Sequence, residues 1–145
     1  MTLTFAVRGK PQGKGRPRFT RSGRAYTPKK TADYEELIRS CYRLQCRDKK
    51  LPEGVPLRLR ITAYFPIPKN TPKAERRAMA EGSIKPAKKP DGDNIEKAVA
   101  DALNGTAYGD DRMIVSASWE KLYAADEEHA GLIVTIESIE SEELS

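Results

Sequence analysis

The sequence predicts an α+β fold: a small mixed or antiparallel four-stranded sheet with helices packed on it, in the order β-α-β-α-α-β-β, as one domain over residues 1–145. Three observations carry this. Leu57, Leu59, Ile61, Ala63, Phe65 and Ile67 alternate with Arg58, Arg60, Thr62 and Tyr64, the period of a half-buried strand. Tyr34, Leu37, Ile38, Cys41 and Leu44 recur at helical spacing and form an apolar stripe. Ile95, Ala98, Val99, Ala102 and Leu103 form a second such stripe after residue 90.

The remaining elements follow in order. Leu3, Phe5 and Val7 alternate in a first strand, Thr2 to Arg8. From Arg8 to Lys30 there are nine Lys/Arg and no acid, and prolines and glycines interrupt both regular periods, which predicts an irregular basic loop. Thr31 is expected to cap the first helix, which runs to Arg47, with Tyr34 and Tyr42 packing inward. After the alternating strand, Pro66 and Pro68 imply an edge or a termination. Thr71-Pro72 opens a short basic helix that Gly82 closes. Asp93, with Glu96 three residues on, reads as the capping box of the next helix, which ends at Asn104-Gly105. Met113 to Tyr123 and Gly131 to Ile139 then read as strands joined in an antiparallel hairpin. Trp119 is expected in the core or at a subunit interface, His129 is incidental, and the tail from Glu140 to Ser145 is acidic and frayed.

Charge is distributed unevenly. The net charge of +5 combines 23 Lys/Arg against 7 Asp/Glu in residues 1–90 with 3 against 14 in residues 91–145. A basic front of this kind favours a polyanionic partner. The two cysteines, Cys41 and Cys46, form no CxxC pair, and with one histidine they exclude a Cys/His zinc site. No apolar run approaches a membrane span, and the N-terminus lacks the features of a signal peptide, so the expected location is the cytoplasm, away from any membrane. Gly13-Lys14-Gly15 lacks the GxxxxGK[ST] spacing of a P-loop, which excludes a nucleoside triphosphatase of that kind.

The chemistry concentrates between Lys89 and Val115, where Asp91, Asp93, Asp101, Asp110 and Asp111 surround Lys97. On a helix, Asp93, Lys97 and Asp101 fall within about 80° of one another, opposite the apolar stripe. Asp91 precedes that face, and Asp110-Asp111 arrive from the start of a separate strand. Taken singly, each has a plain structural role as a cap, an i,i+4 pair or a turn. Together they offer a hard cation carboxylate oxygens, and Mg²⁺ takes one or two carboxylates and completes its shell with water and phosphate oxygens. A neighbouring lysine would stabilise negative charge developing on a phosphoryl group. The basic loop supplies the complementary feature: Lys10, Lys14, Arg16, Arg18, Arg21, Arg24, Lys29 and Lys30, with Lys88 and Lys89 later, are candidate DNA-binding residues.

The run KPDGDNIEKAVADALNG…YGDDRMIV, with GKGRPRFT…YTPKKT and YFPIP upstream, closely resembles the RusA-type crossover-junction endodeoxyribonucleases, resolvases of Holliday junctions found in prophages, phages and bacteria. The resemblance covers nearly the whole chain. It implies a RusA-like fold and a Mg²⁺-dependent nuclease, with Mn²⁺ as a substitute, that cuts four-way DNA junctions in recombination and repair. It implies that Asp91, Asp93 and Asp111 bind the metal, that Lys97 is the catalytic lysine, and that the enzyme is a homodimer. The dimer agrees with the approximate two-fold symmetry of a junction that needs two matched nicks. Asp101 and Asp110 match recurrent positions without a secure role, and Gly92 stands where many relatives carry a bulkier apolar residue. The alternatives are a non-catalytic nucleic-acid-binding protein, which would be indifferent to Asp91→Asn, and a phosphohydrolase of small substrates, which would tolerate loss of the basic loop.

Overall fold

The computed structural model describes residues 1–140, so most of the predicted acidic tail lies outside the described residues. Six strands and three α-helices follow one another as β1 (Thr2–Arg8), β2 (Arg18–Phe19), β3 (Ala25–Tyr26), α1 (Lys29–Cys46), β4 (Leu57–Phe65), α2 (Lys73–Glu81), α3 (Gly92–Leu103), β5 (Ile114–Tyr123) and β6 (Gly131–Ser138). The main sheet is four-stranded and mixed, in the order β1-β6-β4-β5. β6 runs antiparallel to both β1 and β4, whereas β4 and β5 are parallel.

That order corrects the expected hairpin between the last two strands. β6 is an inner strand flanked by β1 and β4, and β5 lies beyond β4 at the sheet edge. Burial accounts for the separation. Leu132, Val134 and Ile136 of β6 are almost fully buried, so this strand belongs between partners, while most of β5 is exposed. β4 is also internal, so Pro66 and Pro68 mark its termination and not an edge.

Alternation along β1, β4 and β6 puts Leu3, Phe5, Val7, Leu59, Ile61, Val134 and Ile136 on one buried face. Helices α1 and α3 cover that face and pack on each other. The buried side of α1 is Tyr34, Ile38, Tyr42 and Cys46 at successive i,i+4 spacing, rotated from the predicted stripe, so that Leu44 is 81% exposed. The Tyr42 ring meets Phe5 of β1 edge-on at 5.5 Å, which fixes α1 against the sheet. On the opposite face, Arg58 and Arg60 of β4 pair with Glu137 of β6 at 2.9 and 3.3 Å.

Two local expectations change. Helix α1 begins at Lys29 after Pro28, and Thr31, instead of capping it, accepts a hydrogen bond from the Gly15 amide at 3.0 Å. The basic loop is not wholly irregular, because β2 and β3 form a two-residue ladder closed by Thr20 and Gly23. For α2 the predicted stop holds: Gly82 adopts φ +87 and its amide reaches back to Ala78 and Met79. No helix among the described residues is long and apolar enough to cross a membrane.

Candidate functional site

Helix α3 carries the acidic stretch. Its N-cap is Asp91, in extended conformation, and the first turn closes through the Ile95 amide on the Asp91 carbonyl at 3.1 Å. The capping box expected at Asp93 and Glu96 does not form: Asp93 sits inside the first turn, and no side chain caps the helix. Neither the Asp91 nor the Asp93 carboxylate is used to hold the fold among the described residues, and both are exposed beside the positive end of the helix.

Lys97 stands one turn further, exposed, with no ion pair or hydrogen bond among the described residues. Asp101, its i,i+4 neighbour, pairs with Lys14 instead, at 3.2 Å. The Lys14 ammonium also lies 2.8 Å from Glu35 of α1. Burial alone would lower the Lys14 pKa; the hydrogen bonds and charges of Glu35 and Asp101 together outweigh it and hold the pKa above its ordinary value. The Lys14 charge is thus neutralised within the chain, and the backbone follows suit: the Lys14 amide donates to the Asn94 carbonyl at 3.0 Å. A Cβ at Gly15 would stand 2.5 Å from Thr31 Oγ1, so the loop can lie this close to α1 only because residue 15 is glycine.

Beyond α3 the chain turns through Gly105, and the buried Tyr108 hydroxyl donates to the Ala100 carbonyl at 2.7 Å, tying the turn to the helix. This delivers Asp110 and Asp111 to the start of β5. Asp110 is engaged structurally, since it caps a short 3-10 turn, Asp111–Met113, by accepting from the Arg112 amide at 2.9 Å. Asp111 is half-buried, and its pKa is pushed up by desolvation, then by a hydrogen bond with Asp110 and by the negative charges of Asp101 and Asp110.

The acidic residues therefore form two groups. Asp91 and Asp93 lie at the N-terminal end of α3, and Asp101, Asp110 and Asp111 gather near its C-terminal end. Asp91 and Asp101 are separated by about 15 Å along the helix axis at roughly 1.5 Å per residue. Among the described residues no three His, Cys, Asp or Glu side chains are gathered closely enough to hold a metal ion. The chain does not bring the expected trio of Asp91, Asp93 and Asp111 together. The first two suit a cation that needs only one or two carboxylates and takes its other oxygens from water and substrate.

Two concave surfaces meet at Asp91. One, of about 790 Å³, is lined by the basic loop from Lys10 to Arg18 together with Lys30, Lys89, Asp91 and Asn94. The other, of about 530 Å³, is lined by Lys85, Pro86, Asp91, Asp93, Trp119 and Lys121. Lys10, Arg16, Arg18, Arg21, Arg24, Lys29, Lys30, Lys88 and Lys89 are all exposed, although Lys29 pairs with Asp33 at 3.0 Å. Phe19 and Tyr26 stand exposed on the β2–β3 ladder among these cations. Trp119 departs from the expectation of a core residue: it is 47% exposed. Its place in this site is missed by sequence reasoning, because alternation alone cannot tell an edge strand from an inner one. His129 is engaged by Asp126 at 2.6 Å.

A family model described as Endodeoxyribonuclease RusA matches residues 8–137. A protein of Bacillus subtilis (strain 168), named only as uncharacterized protein YqaN, is 31% identical over 129 residues, covering 86% of this chain and 89% of that protein.

Proposed function

The chain belongs to the RusA endodeoxyribonuclease family, and on that premise we propose that it is a magnesium-dependent, structure-selective nuclease that resolves four-way DNA junctions by paired phosphodiester cleavage. One observation supports this reading above the others. Asp91 borders both the cavity lined by the basic loop and the cavity containing Asp93, and among the described residues no capping bond or ion pair consumes either carboxylate. A phosphate backbone held by Arg16, Arg18, Lys30 and Lys89 is led to an acidic pair that would repel it unless a cation lay between them.

Asp91 and Asp93 would hold the divalent cation, Mg²⁺ with Mn²⁺ as substitute; Asp111, the third carboxylate that the family resemblance implies, stands with Asp101 and Asp110 at the other end of α3 and does not join them within one chain. Held there, such a cation would supply neutralisation of the phosphoryl oxygens and a lowered pKa for the attacking water. The chain's own contribution is positional. The positive end of α3 adjoins the acidic pair, and Lys97, exposed one turn along the same helix and without an ion pair among the described residues, would supply positive charge for the phosphoryl group in the transition state. The exposed cations of the loops fix the backbone without reading bases. Two such sites in a homodimer would cut two strands of a two-fold junction.

The test is a labelled synthetic four-way junction and its linear duplex, incubated with purified protein in Mg²⁺, Mn²⁺ or chelator. Paired, metal-dependent nicks confined to the junction are expected, with Asp91→Asn binding the junction and leaving it uncut. A junction that is bound but stays intact in every divalent metal would overturn the enzyme reading in favour of a non-catalytic DNA-binding protein.

A further inference from the structure

Trp119 is the one tryptophan of the chain, and it stands on the exposed edge strand beside the acidic pair. Its register partner on β4 is Ile61, so the indole lies on the sheet face that α1 and α3 cover, at the point where that cover ends. What holds it is Gly92. A Cβ built on Gly92 would fall 2.1, 2.2 and 2.4 Å from Cδ2, Cε3 and Cε2 of the indole, a position above the ring plane and not at its rim. The first turn of α3 is therefore stacked on one face of the indole, and the ring is pinned at the mouth of the 530 Å³ cavity that Asp91, Asp93 and Lys121 also line.

We infer that Trp119 is a stacking platform for an unstacked nucleobase adjacent to the scissile phosphate. The inference rests on the nuclease reading above. Backbone tracking through the basic cavity reaches Asp91, and the nucleotide on the far side of Asp91 enters the cavity that holds Trp119. Drawing a base out of its stack costs less where strands exchange between helices than within an unbroken duplex, and a rigid aromatic face returns part of that cost as stacking. Lys85 at the same cavity complements the adjoining phosphate, and Lys121, whose ammonium donates to the Lys88 carbonyl, adds positive charge beside it. The proximity of Gly92 gives the platform its rigidity and accounts for the glycine at this position, since any Cβ at 92 would push the indole out of place.

Because the chain has a single tryptophan, its own emission reads the contact. Wild-type protein in chelator is titrated with a synthetic four-way junction while binding is followed in parallel by gel shift. Quenching of the tryptophan emission that saturates with binding is expected. Trp119→Ala is expected to lower junction affinity or cleavage about tenfold or more, and Trp119→Phe to retain most of it, as a stacking contact requires. Gel shift with no change in emission would overturn the platform and leave the nuclease reading standing. Absence of any junction binding would overturn both. Emission that is blue-shifted without DNA, and that shifts with protein concentration, would overturn the inference by placing a second copy of the chain over Trp119.

Discussion

The ammonium of Lys14 lies 2.8 Å from the Glu35 carboxylate, and this pair ties the basic loop to α1 while Asp101 ties it to α3. The side chains retain 18% and 11% exposure, so removing one partner strands a largely desolvated charge. Lys14→Met is expected to destabilise the fold by about 2–4 kcal/mol in chemical denaturation, near the lower end for a buried pair because water still reaches the ammonium. Lys14→Met combined with Glu35→Gln should recover part of that loss. The sign of the pH dependence is fixed: the folded pKa is raised, so the contribution is complete below the usual lysine value of 10.5 and is lost as pH climbs through the folded value. The stability difference between wild type and Lys14→Met should be flat through neutral pH and shrink only in strongly alkaline solution.

Gly92 and Trp119 supply a second test. Gly92→Ala inserts a methyl group 2.1 Å from the indole, which must then swing away. The expected cost is about 1–3 kcal/mol, the range of overpacking, with a change in tryptophan emission before any DNA is added. Adding Trp119→Ala should relieve most of the cost, since space is what the substitution lacks. A double variant no more stable than Gly92→Ala would show that the glycine serves the helix start and not the ring.

The strand β4 and helices α1 and α3 are legible in the sequence because each has one buried face whose period survives in the residue order. Sheet order is not legible in the same way. The short connection between Tyr123 and Gly131 invites a hairpin, but pairing depends on which edges are already occupied, and that is a property of the assembled sheet. The site divides similarly. The aspartates and Lys97 announce themselves by type and spacing, yet Asp91 and Asp93 compete for the cap on equal chemical terms. Backbone conformation decides it, with Asp91 extended and Gly92 already helical. Lys14 reads from composition as one more loop cation; its pairing with Glu35 and Asp101 needs the third dimension.

Lys97 should separate chemistry from folding. Its side chain is exposed and makes no ion pair among the described residues, so Lys97→Ala is expected to shift stability by no more than about 0.5 kcal/mol. Loss of a group that stabilises transition-state charge costs about 10²–10³ in rate. Single-turnover cleavage of a four-way junction should fall by that factor while the gel-shift affinity stays within about twofold. A parallel loss of affinity and rate would assign Lys97 to holding the backbone instead.

Salt dependence distinguishes the loop cations from one another. Arg16 and Arg18 are exposed and line the cavity that leads to Asp91, whereas Lys14 in the same cavity is neutralised by Glu35 and Asp101. Each phosphate contact removed should lower the slope of log affinity against log salt by about 1. Arg16→Ala and Arg18→Ala are therefore expected to weaken junction binding at low salt and to flatten that slope, each by about one unit, with fold stability unchanged. Lys14→Met should leave the slope close to the wild-type value, since its ammonium has no free charge to exchange for counterions. A variant of Lys14 that flattened the slope as much as Arg16→Ala would mean that DNA displaces Glu35, and that the loop opens when the junction binds.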